Sequence, residues 1–223
     1  MTTLFTALQQ ADSAFPSGSF AFSNGIEGLS ALGVSLDRRG LQHTVISTLR
    51  HRWMTADWVA LVHAYRAGAE IDAIVAIDAI VETTMLAEPL RDGSKRNGGA
   101  LLTAHGRLKT PGAAELRQQI DAGLAFGHLA VVQGFLWRVL GMSEAEAVQV
   151  SAYSTVAGLV AAAVRLGRIG AVEAQAVVAA ALSAIAAEVA TPLAPECEIE
   201  SFAPFIEIAA VRNRRAHLRL FAN

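Results

Sequence analysis

The sequence holds one cysteine, Cys197, among 223 residues. A lone thiol can neither close an internal disulfide nor supply a CxxC pair for zinc, so the fold must rest on its core, and a reducing cytoplasm suits the chain. Charge is scarce too: Asp, Glu, Lys and Arg make up 17% of residues and the net charge is −2. Nucleic-acid binders draw affinity from counterions released by a dense basic surface, so this balance speaks against a nucleic-acid partner. No run approaches the roughly 18 apolar residues of a membrane span, because residues 124–142 are broken by His128, Gln133 and Arg138. Residues 1–15 lack Lys and Arg and carry Gln9, Gln10 and Asp12 where a signal peptide needs an unbroken apolar core, which predicts a cytoplasmic protein without export or membrane attachment.

Catalytic and metal signatures are missing as well. The six histidines, at 43, 51, 63, 105, 128 and 217, form no HExxH, HxH or HxxxH pair. His43 and His51 would sit about two helical turns apart, beyond the reach of one metal ion. Ser17-Gly18-Ser19 lacks the GxSxG frame of a nucleophile turn, and Gly93-Ser94-Lys95 lacks the upstream glycine of a phosphate loop. Asp72, Asp78, Glu82 and Glu88 read as the solvated face of one helix. These absences predict no catalytic residues, no metal ligands and no cofactor.

Apolar residues are what the chain has in excess, about 60% once glycine is counted, against a usual 45 to 50%. Their spacing is helical. Leu41, Val45, Leu49, Trp53, Ala56, Ala60 and Ala64 step by three or four, with a start near Ser35 and a stop at Gly68. Ile71, Ile74, Ile77, Val81 and Met85 repeat the pattern up to Pro89 and a polar break at 91–99. A short helix is expected over 101–108 and a helix pair over 114–141. Ser143 and Glu146 form a capping box opening a helix through Ala163, and a last long helix carries Val178, Leu182, Ile185 and Val189. The expected fold is all-α: one compact helical bundle spanning 1–223, with an N-terminal motif region at 1–34 and a C-terminal docking segment at 192–223. Alanine runs such as 161–163 let helices pack closely.

One loop stands apart. Residues 11–27 place Phe15, Phe20 and Phe22 within eight residues of a chain that is only 6% aromatic. Pro16 fixes φ, Gly18 permits a tight turn, and Ser19 or Ser23 could cap the helix that follows. Such a loop is either buried or meets a partner. The tail from Arg212 combines Arg214, Arg215 and Arg219 with Leu218, Leu220 and Phe221, a pattern expected to be poorly ordered until a partner binds.

Ala11, Pro16, Gly18, Phe20, Ser23, Gly25, Ile26 and Glu27 resemble the N-terminal signature of the urease accessory protein F (UreF) family, approximately A-x-x-x-x-P-x-G-x-[FY]-x-x-S-x-G-[LI]-E. Residues 95–102, 162–170 and 208–221 are similar to three further stretches of that family, in the same order. Arg168, Ala171 and the Asn213-Arg214 pair depart from it, the last standing where the family has His-Glu, so no nickel contact is carried over there. The resemblance implies a non-enzymatic chaperone of urease maturation, all-helical and homodimeric. It would bind the accessory protein D (also called H), recruit the accessory GTPase G, and take part in delivering nickel to apo-urease. The implied partner-binding residues are Pro16, Gly18, Ser19, Phe20, Ser23, Gly25, Glu27, Lys95, Arg96, Arg212, Arg219, Leu220 and Phe221. Two other readings of the residues stay open at this stage: a helical adaptor unrelated to urease, and a small hydrolase built on Ser19.

Overall fold

Leu41, Val45, Leu49, Trp53, Ala56, Ala60 and Ala64 all lie in the core, along one unbroken helical rod. The computed structural model describes residues 3–18, 21–213 and 220–221, and among these it contains helices and no strand. After α1 (Thr3–Ala11) and α2 (Ile26–Ala31) comes the rod: α3 (Arg38–Thr48), a π-helical segment (Leu49–Asp57) and α4 (Trp58–Ala67). Asp37, two residues beyond the expected start, caps α3 by accepting from the Gly40 N–H at 2.9 Å. That bond satisfies one of the orphan amides of the first turn.

The polar break expected at 91–99 does not exist. After α5 (Ile71–Thr84), those residues form the middle of α6 (Glu88–Arg107), and the expected short helix is only its end. Three glycines make this stretch a poor intrinsic helix former, but two of them face close neighbours. A Cβ on Gly98 would overlap the Gly127 carbonyl, and one on Gly93 would sit 3.3 Å from the Phe22 ring. Tertiary contact therefore overrides propensity here. The helix pair follows as α7 (Ala113–Asp121) and α8 (Leu129–Val139).

Ser143 caps α9 (Glu144–Arg165) through the expected reciprocal box, its Oγ accepting from the Glu146 N–H and Glu146 accepting from the Ser143 N–H at 2.7 Å. Against the expectation that no run is long enough, α9 could cross a membrane by length and composition, but more than half of its most apolar stretch is buried in the fold. The last long helix is shorter than expected. α10 (Ala171–Ser183) ends where Ile185 leaves helical geometry, and a single turn, α11 (Ala186–Val189), follows. Residues 190–203 then run as a strap along the rod. His63 donates to the Cys197 carbonyl at 2.8 Å, Arg66 donates to the Leu193 carbonyl, and the Glu200 N–H reaches Thr55 of the π-helical segment. The chain returns through α12 (Pro204–Asn213).

The acidic residues of α5 are not one solvated face. Asp72 is exposed, but Asp78 is buried and accepts three backbone N–H groups, from Phe126, Gly127 and His128, at 2.6 to 2.9 Å. Next to it, Glu82 accepts from His128 Nε2 at 2.9 Å and pairs with Arg91 and Lys95. One carboxylate thus satisfies the loop that leads into α8, and its neighbour ties that loop to α6.

Candidate partner-binding site

The N-terminal motif folds as a series of tight turns. Asp12 Oδ1 accepts from the Ala14 N–H at 2.9 Å, and the Phe15 and Ala21 amides close turns onto Asp12 and Gly18. Gly18 has φ of 73° and Gly25 has φ of 94°, a region that residues with a Cβ rarely enter. Gly25 occupies the N-cap of α2 in place of the expected serine, and with no side chain to cap the helix the backbone turn itself starts it; Ser19 lies outside the described residues.

Along its length the motif forms a seam between α6 and the C-terminal segment. On the α6 side, a Cβ on Gly18 would lie 3.1 Å from that of Ala100, Phe22 rests over Gly93, and the Phe15 ring lies 5.3 Å from that of His105. His105 is fully buried, and burial holds its pKa below the ordinary value. It donates from Nε2 to Gln10 and accepts at Nδ1 from the Thr110 hydroxyl, while Trp137 donates to the same Gln10 oxygen. Gln10 thereby pins α1 to α6 and α8.

On the tail side, the helix axes come close. A Cβ on Gly28 would overlap the Ala209 carbonyl, and one on Gly25 would meet the Ile206 side chain. Glu27, 8% exposed, accepts from Asn213 Nδ2 at 2.8 Å and from the Leu220 N–H at 2.6 Å. Phe221 is buried, with the Arg165 guanidinium 4.3 Å from its ring centre.

The structure does not bring the proposed site residues into one patch. Ser23, Gly25 and Glu27 are buried in the seam, where they position the surface rather than form it. Pro16 is exposed at the rim of a cleft of about 780 Å³ that also includes Asp12, Ala100, Arg107 and Arg117, and Gly18 is exposed close to Ala100. Lys95 is drawn to Glu82 at 3.2 Å and to Asp92 at 3.6 Å, while Arg96 is exposed. Arg212 and Leu220 are exposed near the seam. Ser19, Phe20 and Arg219 lie outside the described residues. Phe221 corrects an expectation: its ring is turned inward onto Arg165, a cation–π contact that holds it in the chain instead of presenting it to a partner. Asn213 and Phe221 also narrow the idea of a loose tail, since both are locked by buried contacts, while residues 214–219, 222 and 223 lie outside the described residues.

Sequence reasoning missed the apolar stripes on the outer faces. On α1 these are Leu4, Phe5 and Leu8, and on α12 they are Phe205, Ile208 and Val211, all exposed. Their spacing of one, three and four residues was legible as a helical stripe. It was not legible which face would be left uncovered.

A family model described as UreF matches residues 36–182. The chain is 30% identical over 227 aligned residues to the urease accessory protein UreF of Trichodesmium erythraeum (strain IMS101), covering 97% of this chain and 95% of that protein. It is 28% identical to the UreF of Bacillus sp. (strain TB-90), across 99% of both chains, and 30% identical to that of Paenarthrobacter aurescens (strain TC1), across 96% of both. The N-terminal motif lies outside the family-model match but inside the alignment to the Bacillus protein. With most of its length matched by the family model and relatives aligned over nearly their whole lengths, the chain belongs to the urease accessory protein UreF family.

Proposed function

We propose that this chain is an accessory subunit of urease maturation that acts by binding other proteins, without chemistry of its own. Family membership supports the maturation role. In this reading the chain is a cytoplasmic homodimer that bridges the accessory D/H protein and the accessory GTPase G, while nickel is the cargo delivered to apo-urease. The chain itself holds no cofactor.

The observation that carries the reading is the posture of α12. Its inner face is fixed by Gly25, Gly28 and Glu27, yet its outer face displays Phe205 and Ile208 at 60% and 56% exposure. Apolar side chains held rigidly outward lose little freedom on binding, which is how a preformed protein interface lowers the entropy of association. The test is a Phe205→Asp, Ile208→Asp double variant, for which the helical circular dichroism remains and co-purification with the D/H protein is lost. Cells making it contain urease protein without activity. Normal urease activation in those cells, or undiminished capture of the D/H protein, refutes the role of α12. Light scattering that finds a monomer at micromolar concentration refutes the homodimer.

A further inference from the structure

Arg52 is a buried guanidinium that lacks a hydrogen-bond acceptor. The residue is 9% exposed, its Nε has no acceptor among the described residues, and its ionic neighbour Asp57 stands 3.9 Å away, beyond hydrogen-bond distance. A guanidinium is always charged and carries five N–H donors, so leaving one dry and unpaired is costly. The π-helical register makes the arrangement possible. Residues five apart diverge by about 140° on an ideal α-helix, whereas i→i+5 bonding turns Arg52 and Asp57 toward one side.

Both residues line a cavity of about 470 Å³ between the π-helical segment, α6, α8 and α9. Asn97 lines it too, is 3% exposed, and has an Oδ1 without a partner. Gln133 and Ser94 add further polar wall. An amide can turn either its oxygen or its nitrogen inward, so Asn97 can serve as donor or acceptor. A chamber of this size, with these polar groups in its wall, has room for several waters or a small solute.

We propose that this chamber binds a small planar oxyanion of the carboxylate or bicarbonate class, taken from solution and gripped by Arg52. The guanidinium fork matches two coplanar oxygens, and Asn97 supplies an additional N–H donor when its amide faces inward. Asp57 competes with the ligand for the same guanidinium. Burial pushes the Asp57 carboxyl up in pKa against the pull of Arg52 and His128, which weakens its hold on the guanidinium without ending the competition. The site does not depend on the role in urease maturation.

Sodium formate, bicarbonate, phosphate and chloride are titrated into the full chain at constant ionic strength, with calorimetry and melting temperature as readouts. Formate and bicarbonate bind one per chain and raise the melting temperature above the chloride reference. Arg52→Met weakens formate binding at least tenfold, and Asp57→Asn tightens it several-fold by removing the internal competitor. Formate acting no differently from chloride, or Arg52→Met keeping its affinity, overturns the proposal; tighter binding of phosphate than of formate overturns the planar class. If Arg52→Met fails to fold, Asp57→Asn decides, because an unchanged or weaker formate affinity in that folded variant refutes competition for Arg52.

Discussion

Replacing Glu27 by alanine removes the single carboxylate that holds donors 186 and 193 residues further along the chain. A hydrogen bond to a charged acceptor is worth about 1.5 to 3 kcal/mol. Asn213 Nδ2 is buried and has no water to turn to, so its loss falls in the upper part of that range. The Leu220 N–H belongs to an exposed residue, regains solvent and falls at or below the lower end. The sum is about 2 to 4 kcal/mol in the docking of the C-terminal segment, which shifts its opening equilibrium by roughly 30- to several-hundred-fold at 1.4 kcal/mol per factor of ten. Hydrogen exchange read by mass spectrometry is the assay. Amides of α12 should exchange faster by that factor in Glu27→Ala, those of α4 and α8 should change little, and trypsin should cut sooner after the arginines at 212–219. Glu27→Gln, which keeps an uncharged acceptor, should lie between. If α12 exchanges in Glu27→Ala as it does in the parent, the carboxylate does not hold the segment. If all helices speed up equally, the seam is not a local lock.

Gly28→Ala should be far worse than a surface glycine change, because its Cβ meets the Ala209 carbonyl; an overpacking loss of about 1 to 3 kcal/mol is expected in urea unfolding, with partner capture weakened alongside. Asp78→Ala leaves three N–H groups of the 126–128 loop without their acceptor, and a loss of about 4 kcal/mol or more is expected from the denaturation midpoint. Lowering the pH through the ordinary histidine range should destabilise the fold through His105. Its folded pKa lies below the unfolded one, so the unfolded chain binds more protons and stability is complete only above the unfolded value, about 6.5. A His105→Gln variant, already weaker at pH 7.5, should lose less between pH 7.5 and 5.

Helices with local signals were legible from sequence. The 41–64 stripe, the Ser143–Glu146 box and the Gly68 stop each depend on residues a few positions apart, and each stands where it was expected. Features set by distant partners were not. Nothing near Asp78 in sequence says that three amides nearly 50 residues later need an acceptor, so its charge reads as solvated. The glycines of 91–99 read as a break because propensity counts their backbone freedom and not the close approach they permit to Phe22 and Gly127. The π-helical segment has no periodic signature, since Leu49, Trp53 and Ala56 fit an ordinary helix equally well. Within the site, the residue types of the motif pointed to a special loop. The burial of Glu27 depends on α12, which the sequence presents only as part of a C-terminal docking segment.

The lock at Glu27 also bears on how the protein is made. During synthesis the motif emerges early, but its carboxylate has no partners until Asn213 and Leu220 have followed, so this contact carries the long loop-closure penalty of a very non-local interaction. The bundle around α4, α8 and α9 can form before that moment; the seam cannot. A chain interrupted ahead of α12 therefore presents an N-terminal motif with Gly25, Glu27 and Gly28 uncovered. Any partner that docks across the completed seam reads, in the same contact, that the polypeptide has been translated through α12 and Leu220.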